Sequence, residues 1–141
     1  MIIIQKLTLC FLILCLGLLI NCSERKYATI EDVVYSNAEY LNNEDLSGVM
    51  STIDPESELY SSTAIYVEKL FERFDLKFIV EKIEIIEQSD ESAKVRFTQL
   101  TMKLSGPEFR NNRIKGNHTL RKSNGSWLIS NTEILETNFI N

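Results

Sequence analysis

His118 is the one histidine of the 141-residue chain. Its imidazole is the side chain whose ordinary pKa allows proton exchange near neutral pH. It stands in the segment 113–122, where alternation places it on the same side as Ile114, Gly116 and Leu120. A histidine in an apolar pocket can serve as general acid or base. The same position equally suits a core or rim histidine bonded to backbone or to a tyrosine hydroxyl. Nothing in the spacing brings a second titratable group beside it, because Glu81, Glu84, Glu87 and Glu133 fall at solvent-like strand positions. Tyr60, Tyr66, Phe97 and Trp127 join His118 as the candidate pocket set, although such aromatic stripes also build cores. No residue is assigned a catalytic role. One histidine and the cysteine Cys22 do not make a metal site. A glycine-rich phosphate loop, a serine-centred elbow and a Cys-x-x-Cys pair are missing from the sequence, so neither metal nor cofactor is expected.

The three cysteines, Cys10, Cys15 and Cys22, all fall in the first 22 residues. Lys6 precedes an apolar run from Leu7 to Ile20, and polar Ser23-Glu24-Arg25-Lys26 follows it. A basic start, an apolar stretch and a polar exit are the signature of a signal peptide. The run is short for a spanning helix, which needs about 20 apolar residues. Leu19-Ile20-Asn21-Cys22 resembles the bacterial lipobox, with Asn21 where Gly, Ala or Ser is usual. That resemblance implies cleavage before Cys22 and a diacylglycerol on its sulfur. Residues 1–21 would be the lipoprotein signal peptide, 22–28 a tether and 29–141 the folded domain. The protein would sit in the bacterial cell envelope, held to the membrane by its lipid and facing outside the cytoplasm. With one cysteine left, no internal disulfide can form, so the domain must be held by its own core.

The elements that must position the candidate residues are legible in the patterning. Thr29 followed by Asp32 reads as a helix start with reciprocal capping. Ile30, Val33, Val34, Ala38 and Leu41 make its stripe. Leu46, Val49, Met50 and Ile53 predict a short second helix, and Asp54-Pro55-Glu56-Ser57 a turn. A third helix is expected from about Ser57 to Phe74. The pattern then becomes β-branched: strands are predicted over 78–85, 93–104, 113–122 and 127–135. Leu100, Met102 and Leu104 fall out of phase with Val95 and Phe97. This predicts a bulge near Thr98 or Gln99. Lys122-Ser123-Asn124-Gly125 is a hairpin signal. Three helices followed by about four antiparallel strands give an α+β two-layer domain.

Charge is unevenly spread. Residues 24–91 hold 17 acids and 6 bases, whereas residues 92–141 hold 3 acids and 8 bases. Arg110, Arg113, Lys115, Arg121 and Lys122 would suit docking of an acidic partner. Equally, they are the solvated face of the strands. The formal net charge of −5 argues against nucleic acid as a partner.

Several features together resemble the nuclear transport factor 2-like superfamily, the cone-shaped cystatin-like α+β fold. They are the opening helix ending at Leu41-Asn42-Asn43-Glu44-Asp45, the Ile53-Asp54-Pro55 turn, the strand Ala93-Lys94-Val95-Arg96-Phe97 and the closing Gly125-Ser126-Trp127-Leu128-Ile129. The resemblance runs from Thr29 to about Ile134. It implies a curved sheet wrapped on helices, a pocket at the open end of the cone, and a homodimer through the outer sheet. The function expected is that of a membrane-tethered lipoprotein whose non-catalytic domain binds a small apolar ligand or a protein partner. The alternative is a small isomerase, cyclase or dehydratase using His118.

Overall fold

The computed structural model describes residues Tyr27–Ile140; the apolar run and Cys22 lie outside the described residues. Tyr27 is already part of the core, 1% exposed, and its carbonyl accepts the Trp127 N–H at 2.9 Å. Helix α1 spans Ile30–Asn42. The Thr29 hydroxyl accepts the Asp32 N–H at 3.1 Å, and the Asp32 carboxylate accepts the Thr29 N–H at 3.0 Å. Two of the helix's free amides are thereby satisfied. Its buried stripe is Ile30, Val33, Val34 and Ala38. Helix α2, Leu46–Ser51, starts where the Asp45 carboxylate accepts the Gly48 N–H at 2.8 Å. Helix α3 covers Tyr60–Arg73, has no side-chain cap at Leu59, and buries Val67 alone.

Strands β1 (Asp75–Gln88), β2 (Ser92–Ser105), β3 (Asn112–Ser123) and β4 (Ser126–Phe139) form one sheet in the order β1-β2-β3-β4, each pair antiparallel. The β3–β4 turn carries Asn124 and Gly125 at φ 49° and 79°. Both are left-handed, as a two-residue hairpin whose twist matches its strands demands. Three helices followed by a four-stranded antiparallel sheet is the cone architecture expected from the sequence.

The expected bulge is displaced by one strand. Val80 faces Gln99 and Lys82 faces Thr98, so the extra residue is Glu81 on β1, and β2 keeps its phase. Gln99 and Thr101 therefore point inward, and Leu100 and Met102 lie half-buried on the outer face. Apolarity misread the phase because the inner face at this end borders a cavity rather than dry core. The core sits at the other end. Val33, Val34 and Ile30 of α1 meet Val95, Leu120, Trp127 and Ile129 of the sheet.

Candidate functional site

The cone encloses a cavity of about 530 Å³ between α3 and the inner face of the sheet. Leu59, Tyr66, Val67 and Leu70 form one wall, and Phe97, Gln99, Ile114, His118, Thr132 and Ile134 form the other. Phe97 and His118 come from paired strands. Their rings stack at 4.2 Å between centroids with 14° between planes. Gly116 makes this possible, since a Cβ there would lie 2.8 Å from Phe97 Cζ and 2.6 Å from the Glu133 carbonyl. His118 Nδ1 lies 2.8 Å from the Thr132 hydroxyl. Desolvation pushes the imidazole pKa down to about 4, so the ring is neutral at pH 7. A proton-transfer site needs a second group to receive or orient the proton. The described contacts of His118 are Phe97 and Thr132, neither of them a carboxylate or a tyrosine.

The candidate pocket residues divide. Phe97, His118 and Tyr66 line the cavity, with Tyr66 66% exposed at its rim. Trp127 is instead a core residue, 3% exposed, with Lys122 Nζ 5.3 Å from its ring centroid. Tyr60 packs against the same core. Among the described residues no group of three or more His, Cys, Asp or Glu is placed to hold a metal, and no helix is long and apolar enough to cross a membrane.

Sequence reasoning missed a second constellation. Arg121 makes a two-pronged ion pair with Asp54, Nε to Oδ2 at 2.7 Å and Nη2 to Oδ1 at 2.8 Å, and also reaches Glu56. The Asp54 side chain is 4% exposed. The Arg121 guanidinium, outweighing desolvation, holds its carboxyl below the usual carboxylate range. Asp54 N–H donates to Ile129 O at 2.9 Å, and the Ser57 hydroxyl to Ser130 O at 2.6 Å. The turn ahead of α3 is thus pinned to β3 and β4. Asp54 and Arg121 stand 67 positions apart, so no local pattern pairs them.

The basic residues read as a docking face are engaged within the chain. Arg113 forks onto Glu81 at 2.6 and 2.8 Å, and Lys115 meets Glu136 at 3.4 Å. Arg110 lies over the Phe139 ring at 4.3 Å. Each of these three cations therefore has a partner within the chain.

Solved structures with this shape include a nuclear transport factor 2-like protein of unknown function from Shewanella oneidensis, with TM-score 0.60 at 18% identity, over 76% of this chain and 96% of that one. A cystatin-like protein of unknown function from Nostoc punctiforme gives TM-score 0.61 at 13% identity, over 81% and 96%. A ketosteroid isomerase-like protein from Erwinia carotovora gives 0.57 at 21%, over 77% and 95%. These likenesses establish the fold. The sequence itself is 36% identical over 102 residues to the anti-sigma-I factor RsgI9 of Acetivibrio thermocellus; the match takes in 72% of this chain and 14% of that protein. The family model of the anti-sigma-I factor RsgI9 C-terminal domain matches residues 32–140. These matches overturn the reading of the chain as a lipoprotein with a ligand-binding domain, and they do not favour the enzyme reading built on His118. The sequence relative and the family model show that the chain belongs to the family of RsgI9 C-terminal domains.

Proposed function

We propose that this domain is a regulatory module of an anti-sigma-I type system, acting through a protein partner. The observation that carries this reading is the family match across 32–140, which takes in α1 from Asp32 onward and every later helix and strand of the described domain. The chain spans 14% of the relative's length, so the module is one working part of a larger regulator there. Regulation of this kind needs a partner whose binding free energy differs between two states of the system. We further propose that the domain faces outside the cytoplasm, supported by the apolar run Leu7–Ile20 and its polar exit.

The deciding experiment deletes the coding segment for residues 27–141 in the native host and measures transcription from sigma-I-dependent promoters. A changed level of those transcripts is expected. Unchanged transcripts across growth conditions would overturn the regulatory reading. Proteolysis of intact cells, with an epitope at the C-terminus, tests the outward placement; protection from protease in intact cells and cleavage only after lysis would sink it.

A further inference from the structure

Each edge of the sheet is closed over only part of its length, β1 at Phe78 and β4 up to Ser130. On the β1 edge the Asn42 side-chain amide donates to Phe78 O at 2.9 Å and accepts the Phe78 N–H at 2.8 Å. The first part of the β4 edge is covered as well. Trp127 N–H donates to Tyr27 O, Ile129 N–H donates to Thr52 O, and Asp54 N–H donates to Ile129 O, each at 2.9 Å. Past Ser130, among the described residues, no backbone or side-chain hydrogen bond closes the outer edge of β4 over residues 131–139. Such an edge carries a row of free N–H and C=O groups. Nine residues of strand extend about 30 Å.

The side chains along this stretch say what would fit. Ile134 and Thr137 face the cavity side, and Phe139, opposite Asn112, shares that side by register. Ile134 is 50% exposed and Phe139 55%. Glu133 and Glu136 stand on the other face, Glu136 already meeting Lys115 at 3.4 Å, and Ser126–Phe139 contains no Lys or Arg. A second copy would bring the same edge, which carries acids and no Lys or Arg of its own. Leu135, left unpaired between Ile134↔Gly116 and Glu136↔Lys115, bends the strand. Charge and bulge are devices that keep like edges apart.

We propose that residues 131–139 of β4 receive an extended segment of a protein partner, added as a fifth strand, with a basic side chain toward Glu133 and apolar ones toward Ile134 and Phe139. Main-chain hydrogen bonds supply the affinity and the alternating side chains the selection. The inference rests on the regulatory reading, to which it gives a docking surface and a partner chemistry.

The test uses the full chain and a synthetic octapeptide alternating valine with lysine. Hydrogen exchange read by mass spectrometry should slow about fivefold or more over residues 131–139 when the peptide is added. A version N-methylated at alternate backbone amides, and one with glutamate in place of lysine, should leave exchange unchanged. Glu133→Lys, at an exposed position, should weaken binding about tenfold with an unaltered circular dichroism spectrum. Equal binding by the N-methylated peptide, or protection confined to the cavity or to β1, would overturn the proposal. So would protection of 131–139 that grows with protein concentration alone, since the occupant is then a second copy. Peptide protection in a chain whose deletion leaves sigma-I transcripts unchanged keeps the edge and removes the regulatory reading. Changed transcripts without peptide protection remove the edge alone.

Discussion

The sheet has two halves that do opposite things. Under α1 it is dry: Val95 and Leu120 are 0% exposed, and Trp127 and Ile129 are 3% exposed. Under α3 the same strands border the cavity, and that helix buries Val67 alone. One half concentrates apolar burial, which dominates folding free energy. The other leaves Ile134, Leu135 and Phe139 about half exposed and an edge unpaired. Stability and availability for contact are separated along the strands, so either can change without loss of the other.

This contrast can be broken at its strong end first. Trp127→Ala removes the largest side chain of the dry half and should cost about 3–5 kcal/mol in urea unfolding. A loss below about 1 kcal/mol would mean that the core does not lie there. Next comes the joint between the halves. Arg121→Ala leaves the Asp54 carboxylate, 4% exposed, without its fork of hydrogen bonds. A loss between those of Trp127→Ala and Val67→Ala is expected, and Asp54→Asn added to it should recover part of that loss. On the cavity side Val67→Ala should cost only about 1 kcal/mol, because its surroundings are already open. A cost equal to that of Val33→Ala in α1 would erase the contrast.

The smallest effect is in pH. His118 titrates at about 4 in the fold against an ordinary value near 6.5. The unfolded chain takes up this proton first, so stability from this group is present above pH 6.5 and drains away as pH falls toward 4. Unfolding followed across pH 4–6.5 should show a slope that His118→Asn flattens. Below that window the lowered carboxyl of Asp54 adds its own loss as it is protonated.

Much of this was legible in the chain. The Thr29–Asp32 box, the Asn124–Gly125 turn and the inward aim of His118 are local patterns, and local geometry enforces them. Element ends moved by up to four residues, with α3 starting at Tyr60, β1 at Asp75 and β4 running on to Phe139. What stayed hidden depends on pairing at a distance. Arg121 looked like a free surface cation until the sheet brought it to Asp54. Trp127 and Tyr66 read alike as pocket aromatics, yet one is sealed in the core and the other stands at the rim. Gln99 and Thr101 broke an apolar pattern because a cavity asks less apolarity of its wall than a core does. The family was legible only as fold; its RsgI9 branch left no mark in spacing or composition.

The amide of Asn42 is bonded to Phe78 as a neighbouring peptide group would be, giving and taking one hydrogen bond each. Its shape is shared by aspartate, but its chemistry is not. A carboxylate at that position still accepts the Phe78 N–H, yet it sets a negative oxygen against the Phe78 carbonyl with no hydrogen between them. Deamidation of this one side chain, a change of about one dalton, would turn the stop on the β1 edge from an attraction into a repulsion.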